Sequence, residues 1–205
     1  AQLLDAQWLG VPQMRQRIIF MGVRNDLALE PRFPTPLPYQ YTVRDAIPWI
    51  THVRLGAHGW NTGIELDANE SPSTAVCQSG MGSYEYHVEA AADISRFAIG
   101  REWERIGAGG KSSRYLQLSR PSLDGQSGTI TAEGGNASKA SVAHPIECRK
   151  FSIAELKRIC AFPDDFQLTG TYAQQWERLG RAVPPVMMAA VARSVQEVLD
   201  ECRKA

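Results

Sequence analysis

Polar and apolar residues alternate along the stretch GVPQMRQRIIFMG, residues 10–22, before an uninterrupted apolar run begins. Gln13, Arg15 and Arg17 occupy every second position, so an extended backbone would point all three to one face. Ile18 to Val23 follow directly, and their composition predicts a buried strand. Three donor-rich side chains on one face, beside a buried strand, form the first candidate site.

Helix-capping patterns predict two short helices. Thr42, three residues before Asp45, indicates the start of the first helix in TVRDAIPWI. Ser152 and Glu155 form a capping box that opens a second helix in SIAELKRICAF, and we expect Pro163 to end it. The buried side of this second helix is predicted to comprise Ile153, Leu156 and Ile159 or Cys160.

The stretch VPPVMMAAVARSVQEVLDEC, residues 183–202, predicts a longer helix. Its prolines suit a first helical turn, and a stripe of mostly apolar residues follows at helical spacing. We expect this stripe to pack on a sheet. Its members are Met187, Val191, Ser194, Val195 and Val198.

Composition divides the chain into three parts. Residues 51–145 are rich in Gly, Ser, Thr and Asn, and a helix is indicated only near residues 90–106. The order of strand, Pro-rich connector, loop-rich middle and two helices predicts an α/β domain with a second domain inserted into it. We place the three parts at residues 1–48, 49–145 and 146–205.

Charge and reactive side chains narrow the function only slightly. The chain has 22 basic and 22 acidic residues, so its net charge favours no partner. Between residues 96 and 120, six basic residues occur with two acidic ones, which indicates either a phosphate-contacting surface or an ordinary solvated face. Cysteines and histidines are too scattered for a metal site, and no apolar run could span a membrane. We expect a cytoplasmic protein with reduced thiols and no metal.

Two short motifs suggest chemistry that their surroundings do not support. GAGGKS, residues 107–112, lacks the Gly that a phosphate-binding loop needs six residues before Lys111, because Arg105 stands there. Cys77 has no neighbouring Lys or Arg to lower its pKa, so an incidental cysteine is favoured over a nucleophile.

Three segments together resemble conserved motifs of the DNA cytosine-5 methyltransferases. GVPQMRQRIIFMG resembles their eighth motif, RKFSIAELKRICAFPDDF (149–166) their ninth, and WERLGRAVPPVMMAAVARSV (176–195) their tenth. The motifs occur in the family's order and lie at both ends of the chain. The resemblance implies an α/β fold: the C-terminal part of a Rossmann-like, S-adenosylmethionine-dependent methyltransferase domain with an inserted small, loop-rich, mostly β target recognition domain.

The resemblance also implies which residues contact DNA, because the region between the eighth and ninth motifs reads double-stranded DNA in that family. Thr129 and Ile130 match the family's Thr-Leu pair, and Gly134 and Gly135 match the Gly-rich loop that follows. Glycine lets a backbone approach DNA closely. Five basic residues are further candidates for phosphate or guanine contacts: Arg101, Arg105, Lys111, Arg114 and Arg120.

The eighth motif implies a pocket for the target cytosine, which such enzymes take out of the duplex. By resemblance, Arg17 lies at this pocket, and Arg15 and Gln13 support contacts to the pocket or the DNA backbone. Guanidinium suits this role because its donors form a fixed, charged fork. Arg158 in the ninth motif is implied to be structural, with an ion pair or hydrogen bonds that brace the recognition domain.

The tenth motif implies one part of the S-adenosylmethionine site, at Gly180, Arg181, Ala182 and Val183. Two positions depart from the family pattern. The family usually has Asn where this chain has Arg181, and Gly where it has Ala161.

The family's nucleophilic cysteine, in a Pro-Cys-Gln motif, and its glutamate, in Glu-Asn-Val, do not occur in the sequence. We therefore expect a methyltransferase fragment that carries DNA recognition but is inactive alone, its catalytic half deleted or on another subunit. The alternatives are a non-catalytic DNA-specificity subunit of a two-chain enzyme and a DNA-binding remnant. An apolar stripe without its full sheet also predicts self-association or a partly disordered C-terminal helix.

Overall fold

The computed structural model describes residues 1–47 and 91–204. Within these described residues, two strands, β1 and β2, precede five α-helices, and short 3₁₀ turns lie between them at Ala6–Trp8, Asn25–Leu27 and Ala132–Gly135. The bounds are β1 Gln2–Asp5, β2 Gln16–Ile19, α1 Val43–Ala46, α2 Ala98–Arg105, α3 Ile153–Ile159, α4 Tyr172–Arg181 and α5 Pro185–Lys204.

The strands form an antiparallel ribbon in which Leu4 lies opposite Arg17. The prediction of a buried strand over residues 18–23 was wrong in both position and environment. Strand β2 begins two residues earlier, and the side chains of Ile18 and Phe20 are 59% and 80% exposed. The reason is that alternate side chains of a ribbon point to opposite faces. Leu4 and Ile19 belong to the apolar cluster on one face, whereas Ile18 points to the other.

Helix α5 packs on the ribbon and on the connection between its two strands. Met187 and Val191 form one apolar cluster with Leu4, Leu9 and Val11. The stripe is therefore docked on a sheet, as predicted, and the helix is continuous to residue 204. One member of the stripe was wrong. Val195 is 41% exposed, because its direction lies about 80° from that of Met187 around the helix.

The largest apolar cluster joins helices α1, α3 and α4. Both predicted capping boxes are present: Thr42 with Asp45 at α1, and Ser152 with Glu155 at α3. The buried side of α3 is as predicted, and Ile159 and Cys160 are both buried. Other members of this cluster are Val43, Ile47, Ile130, Val142, Phe151, Ile153, Leu156, Trp176 and Leu179.

Helix α3 ends earlier than expected. The prediction that Pro163 ends it was wrong, because the last helical residue is Ile159 and the chain then turns through Ala161 in the left-handed region, at φ 55°. The amide of Phe162 donates to the carbonyl of Lys157, and the amide of Ala161 donates to that of Arg158. These two hydrogen bonds form a Schellman ending, which is usually built on glycine.

A third apolar cluster lies in residues 91–148. Helix α2 contributes Ile99 and Trp103, which pack with Ile94, Leu118 and Ala143. The expectation of a mostly β region is not met in the part that the structure describes, where residues 91–145 contain isolated bridges instead of strands. Residues 48–90, which include Cys77, lie outside the described residues.

Hydrogen bonds join the end of this region to the N-terminal segment. The amide of Met14 donates to the carbonyl of Ser127, and the amide of Ser127 donates to that of Pro12. The amides of Val43 and Arg44 donate to residues 125 and 123. The division of the chain at residue 145 stays a prediction. Among the described residues, no helix is long and apolar enough to cross a membrane.

Candidate nucleic-acid interface

Gln13 is fully buried and joins three segments. Its side-chain oxygen accepts from the amide of Ile130 at 3.1 Å. Its amide nitrogen donates to the carbonyl of Ile159 at 3.4 Å and to Sγ of Cys160 at 3.3 Å. Every polar atom of this side chain is therefore engaged inside the chain, which holds residue 130 against the end of α3.

Arg15, two residues further along the same face, is also buried. One terminal nitrogen donates to the carbonyl of Ile130 at 2.9 Å and the other to that of Gly180 at 2.8 Å. Burial, and then repulsion from Arg17, lower the pKa of Arg15. Because both terminal nitrogens are used on carbonyl oxygens, Arg15 links the residues of the predicted Thr-Ile pair to the predicted cofactor segment.

Arg17 differs from its two neighbours on this face. Its side chain is half-buried, and one terminal nitrogen donates to the carbonyl of Gln16 at 2.7 Å. The alternation expected from the sequence is thus present, since Met14 and Gln16 between these residues are exposed. Only the third member of the row presents its guanidinium to solvent.

The segment 127–131 lies between the N-terminal segment and helix α4. Ile130 is fully buried, whereas Thr129 is exposed and its hydroxyl donates to the carbonyl of Met14 at 2.5 Å. On the other side, the indole nitrogen of Trp176 donates to the carbonyl of Thr131 at 2.9 Å. Of the predicted pair, Thr129 is the member whose side chain faces outward.

Gly134 and Gly135 pack closely on Trp176 of helix α4, and their predicted contact with DNA stays a prediction. A Cβ at Gly134 would lie 2.5 Å from Nε1 of Trp176, and a Cβ at Gly135 would lie 2.8 Å from Cβ of the same tryptophan. Both are buried in the short turn after Thr131. Their backbone therefore approaches helix α4 so closely that a larger side chain at either position would collide with Trp176.

The predicted cofactor residues, 180–183, lie at the end of α4 and directly after it. Gly180 is buried, and a Cβ there would lie 2.6 Å from the amide nitrogen of Ala132. Arg181 is exposed and pairs with Glu177 at 2.6 Å. Ala182 and Val183 are half-buried, and a role in binding a cofactor stays a prediction for them. Just beyond them, an open cleft of about 560 Å³ is lined in part by Pro185 and Ala161.

The five basic candidates separate into two groups. Arg120 is directed inward: its Nε donates to the carbonyl of Pro145 at 2.7 Å and a terminal nitrogen to that of Ile106 at 3.1 Å. Its guanidinium also lies 3.9 Å from the centre of the Trp103 ring, and burial lowers its pKa. The other four are exposed: Arg101, Arg105, Lys111 and Arg114.

Arg158 makes internal contacts of the kind expected. It forms a half-buried ion pair with Asp164, where its Nε donates to one carboxylate oxygen at 2.8 Å. A terminal nitrogen lies 3.4 Å from the carbonyl of Ala46. The contacts thus join the ninth motif to helix α1.

A buried ionic network next to this site was missed by sequence reasoning. Arg149 donates both terminal nitrogens to the carboxylate of Glu155, at 2.8 and 2.9 Å. Glu155 also accepts from the amide of Ser152 at 2.7 Å, so one carboxylate caps α3 and neutralises the arginine. Attraction from Glu155 keeps the pKa of Arg149 raised despite burial, whereas burial holds the pKa of nearby His144 well below its usual value. The capping box was the one signal for Glu155.

Comparison with known proteins supports the family that the three segments resemble. A family model described as C-5 cytosine-specific DNA methylase matches residues 1–197. The Type II methyltransferase M.Eco47II of Escherichia coli is 27% identical over 206 residues, which cover 99% of this chain and 46% of that protein. M1.HphI of Haemophilus parahaemolyticus is 30% identical, with 95% and 46% covered. M.Sau96I of Staphylococcus aureus is 25% identical, with 97% and 43% covered.

A solved structure is similar in fold. It is described as a DNA modification methyltransferase encoded within a prophage of E. coli, and the TM-score is 0.61 at 18% identity. The match covers 97% of this chain and 60% of the other. The chain spans less than half the length of the three curated relatives. Because the family model covers nearly the whole sequence, the chain belongs to the C-5 cytosine-specific DNA methylase family.

Proposed function

We propose that this chain is the C-terminal, DNA-recognition part of an enzyme that transfers a methyl group from S-adenosylmethionine to C5 of a cytosine flipped out of a specific DNA sequence. Membership of the family supports the reaction class. The share of the curated relatives that the chain spans supports its being one part of a longer protein.

The single observation that carries the proposal is that the side chains of Gln13, Arg15 and Arg17 share one face but differ in their hydrogen-bond partners. The side chains of Gln13 and Arg15 form hydrogen bonds with backbone groups of Ile130, Ile159 and Gly180. Arg17 extends the same row into solvent. The first two therefore build a rigid support, and the third is the donor available to a ligand.

Charge explains what Arg17 would bind. Arg15 and Arg17 lie on the same face, and after burial the positive charge of Arg17 also lowers the pKa of Arg15. An anionic or carbonyl oxygen beside Arg17 would relieve this repulsion and receive a charge-assisted hydrogen bond. A phosphate of the extruded nucleotide and the carbonyl oxygen of cytosine both supply such an oxygen.

The cofactor would complete a site of which this chain forms one wall. S-adenosylmethionine supplies the methyl group when it is bound. Ala182 and Val183 would contact it, while Arg15 fixes their position by holding the carbonyl of Gly180. The cysteine that attacks cytosine and the glutamate that assists it would come from the rest of the enzyme.

The test is methyl transfer by the complete protein that contains this chain. DNA incubated with tritiated S-adenosylmethionine should acquire 5-methylcytosine. Arg17→Gln should lower the incorporation at least about 100-fold, in line with the loss of a donor aimed at reacting groups, and leave the unfolding midpoint unchanged. Arg24→Gln is the matched control, because Arg24 is exposed and pairs only locally with Asp26 among the described residues.

Three outcomes would contradict the proposal. A product other than 5-methylcytosine would exclude this reaction, and full activity of Arg17→Gln would exclude the assigned role of Arg17. DNA binding without methylation by the complete protein would favour the specificity subunit or the DNA-binding remnant.

A further inference from the structure

Trp176 is a fully buried side chain on helix α4, and the turn Ala132–Gly135 packs against it. Its indole nitrogen donates to the carbonyl of Thr131 at 2.9 Å. A buried indole needs an acceptor of this kind, but an apolar ring of similar size would fill the same core without one. Packing alone therefore does not explain why the ring at this position carries a donor, and the acceptor lies directly after the predicted Thr-Ile pair.

Three consecutive residues, beginning with Thr129, each form a side-chain hydrogen bond with another segment. The hydroxyl of Thr129 donates to a carbonyl of the N-terminal segment. Arg15 donates to the carbonyl of Ile130 at 2.9 Å. The carbonyl of Thr131 accepts from Trp176, and also from an amide of the following turn at the longer distance of 3.3 Å. The conformation of this stretch is therefore fixed by the N-terminal segment on one side and by helix α4 on the other.

Helix α4 supports this stretch at two points. A Cβ at Gly180, one turn after Trp176, would lie 2.6 Å from the amide nitrogen of Ala132, so the helix backbone itself approaches there. Ile130 is buried in this stretch, whereas the side chain of Thr129 is exposed. A hydrogen bond to a base edge requires a donor–acceptor distance of roughly 2.7–3.2 Å. The reach of Thr129 therefore depends on how firmly the backbone beside it is held.

We infer that Trp176 is a positioning residue that sets how strictly the enzyme discriminates between DNA sequences. Its hydrogen bond to Thr131 fixes the backbone that presents Thr129 to the duplex, and a displacement of about 1 Å is enough to impair a site of this kind. Trp176 touches neither DNA nor the reacting atoms, because it is fully buried. The inference rests on the proposed function and on the predicted contact of Thr129 with DNA.

Tyr172, one turn before Trp176 on the same helix, offers a matched control. Its hydroxyl donates to the carbonyl of Phe151 at 2.6 Å, which lies outside residues 127–135. Tyr172→Phe and Trp176→Phe each remove one donor from a backbone carbonyl, and an unsatisfied carbonyl is destabilising. Both variants should melt at a lower temperature than the wild type. Only Trp176→Phe should change the discrimination between DNA sequences.

The experiment uses the complete protein that contains this chain. It is incubated with S-adenosylmethionine and an unmethylated plasmid library of random sequence, and bisulfite sequencing identifies the bases around each 5-methylcytosine. The discrimination ratio is the methylation rate at the preferred sequence divided by the rate at sequences that differ from it by one base pair. Trp176→Phe should lower this ratio about tenfold, as expected for one lost contact to a base edge. The KM for S-adenosylmethionine should stay unchanged, because Arg15 still holds Gly180.

A second replacement isolates the hydrogen bond from the packing. Benzothienylalanine, incorporated only at position 176, has a sulfur atom in place of the indole N–H and keeps the shape of the ring. The protein that carries it should fold even if Trp176→Phe does not, and its discrimination ratio should also fall about tenfold.

The outcomes separate the inference from the proposed function. A folded protein that lacks the N–H at position 176 and keeps the wild-type discrimination ratio overturns the inference and leaves methylation standing. An equal loss of discrimination in Tyr172→Phe also overturns it, because any loosening of helix α4 would then suffice. Absence of 5-methylcytosine from the wild-type product overturns the proposed function, and the inference with it.

Discussion

Arg15 donates to the backbone carbonyl of Gly180 over 2.8 Å, across 165 positions of sequence. The same guanidinium bonds the carbonyl of Ile130 at 2.9 Å. One side chain from the N-terminal segment therefore fixes the spacing between the segment 127–131 and the last turn of α4. The contact is made with backbone atoms, so it specifies position without depending on the side chains of its partners.

Loss of Arg15 should destabilise the chain markedly. Arg15→Met leaves two buried carbonyl oxygens without donors, and we expect the free energy of unfolding to fall by about 2–4 kcal/mol. Urea unfolding followed by circular dichroism measures it. Arg17→Met is the matched control, since Arg17 is half-buried and should change stability by less than about 0.5 kcal/mol. Equal midpoints for the two variants would show that the Arg15 bonds are not structural.

Ala161→Gly should stabilise the chain. Ala161 has φ 55°, a conformation that glycine adopts without the penalty paid by other residues. The methyl group packs at the edge of the ribbon cluster, which offsets part of the gain. We expect a net increase of roughly 0.5–1 kcal/mol in unfolding free energy.

The control for this variant is Ala192→Gly, at an exposed position inside helix α5. It should lower stability by about 1 kcal/mol, because glycine is unfavourable in a helix interior. Destabilisation by both substitutions would mean that the packing of the Ala161 methyl group outweighs the backbone term.

Gly134→Ala should weaken the packing of the turn Ala132–Gly135 on helix α4. The added Cβ would lie 2.5 Å from Nε1 of Trp176, so the indole must move and its bond to the carbonyl of Thr131 must lengthen or break. We expect a loss of at least about 2 kcal/mol, which lowers the melting temperature by about 4–8 °C in a chain of this size. Gly107→Ala is the control, because a Cβ at this position meets nothing within 4 Å, and it should leave the melting temperature nearly unchanged.

The buried amine of Lys150 should make stability rise with pH above neutrality. Burial lowers its pKa to about 7, whereas an unfolded lysine titrates near 10.4. Between about pH 7 and pH 10 the unfolded chain therefore binds a proton that the folded chain does not. Stability should increase with pH in this window by at most about 1.4 kcal/mol per pH unit.

The measurement is the unfolding midpoint at several pH values from 7 to 10, compared between variants. Lys150→Met should remove this component of the slope, whatever its effect on the midpoint at a single pH. Lys139→Met should retain it, because the Lys139 side chain is exposed and pairs with Glu133. A slope that is the same in all three proteins would show that Lys150 is protonated when folded.

Sequence reasoning succeeded where the determining contacts are local. Thr42 with Asp45 and Ser152 with Glu155 lie three residues apart, so the capping boxes could be predicted from spacing. The alternation of Gln13, Arg15 and Arg17 is local for the same reason. Their partners could not be predicted, because Ile130, Ile159 and Gly180 meet them only after the chain has folded.

Internal partners of other predicted site residues were equally hidden from the sequence. DNA contact at Gly134 and Gly135 stays a prediction, and their packing on Trp176 could not be foreseen because that residue is more than 40 positions away. Arg120 was grouped with the surface cations, because nothing near it in the sequence shows that its guanidinium stacks on Trp103 and donates to the carbonyl of Pro145. A sequence pattern thus identifies a candidate residue, whereas its interaction partners are known only from the fold.

The packing of Met187 on Leu4 has a consequence for biosynthesis. Met187 is synthesised 183 residues after Leu4. Translation adds about 5–20 residues per second, so at least about 9 seconds separate the synthesis of these two residues. During that interval Leu4, Leu9 and Val11 lack their apolar partners in α5, which makes this segment of the nascent polypeptide a natural place for a chaperone to bind.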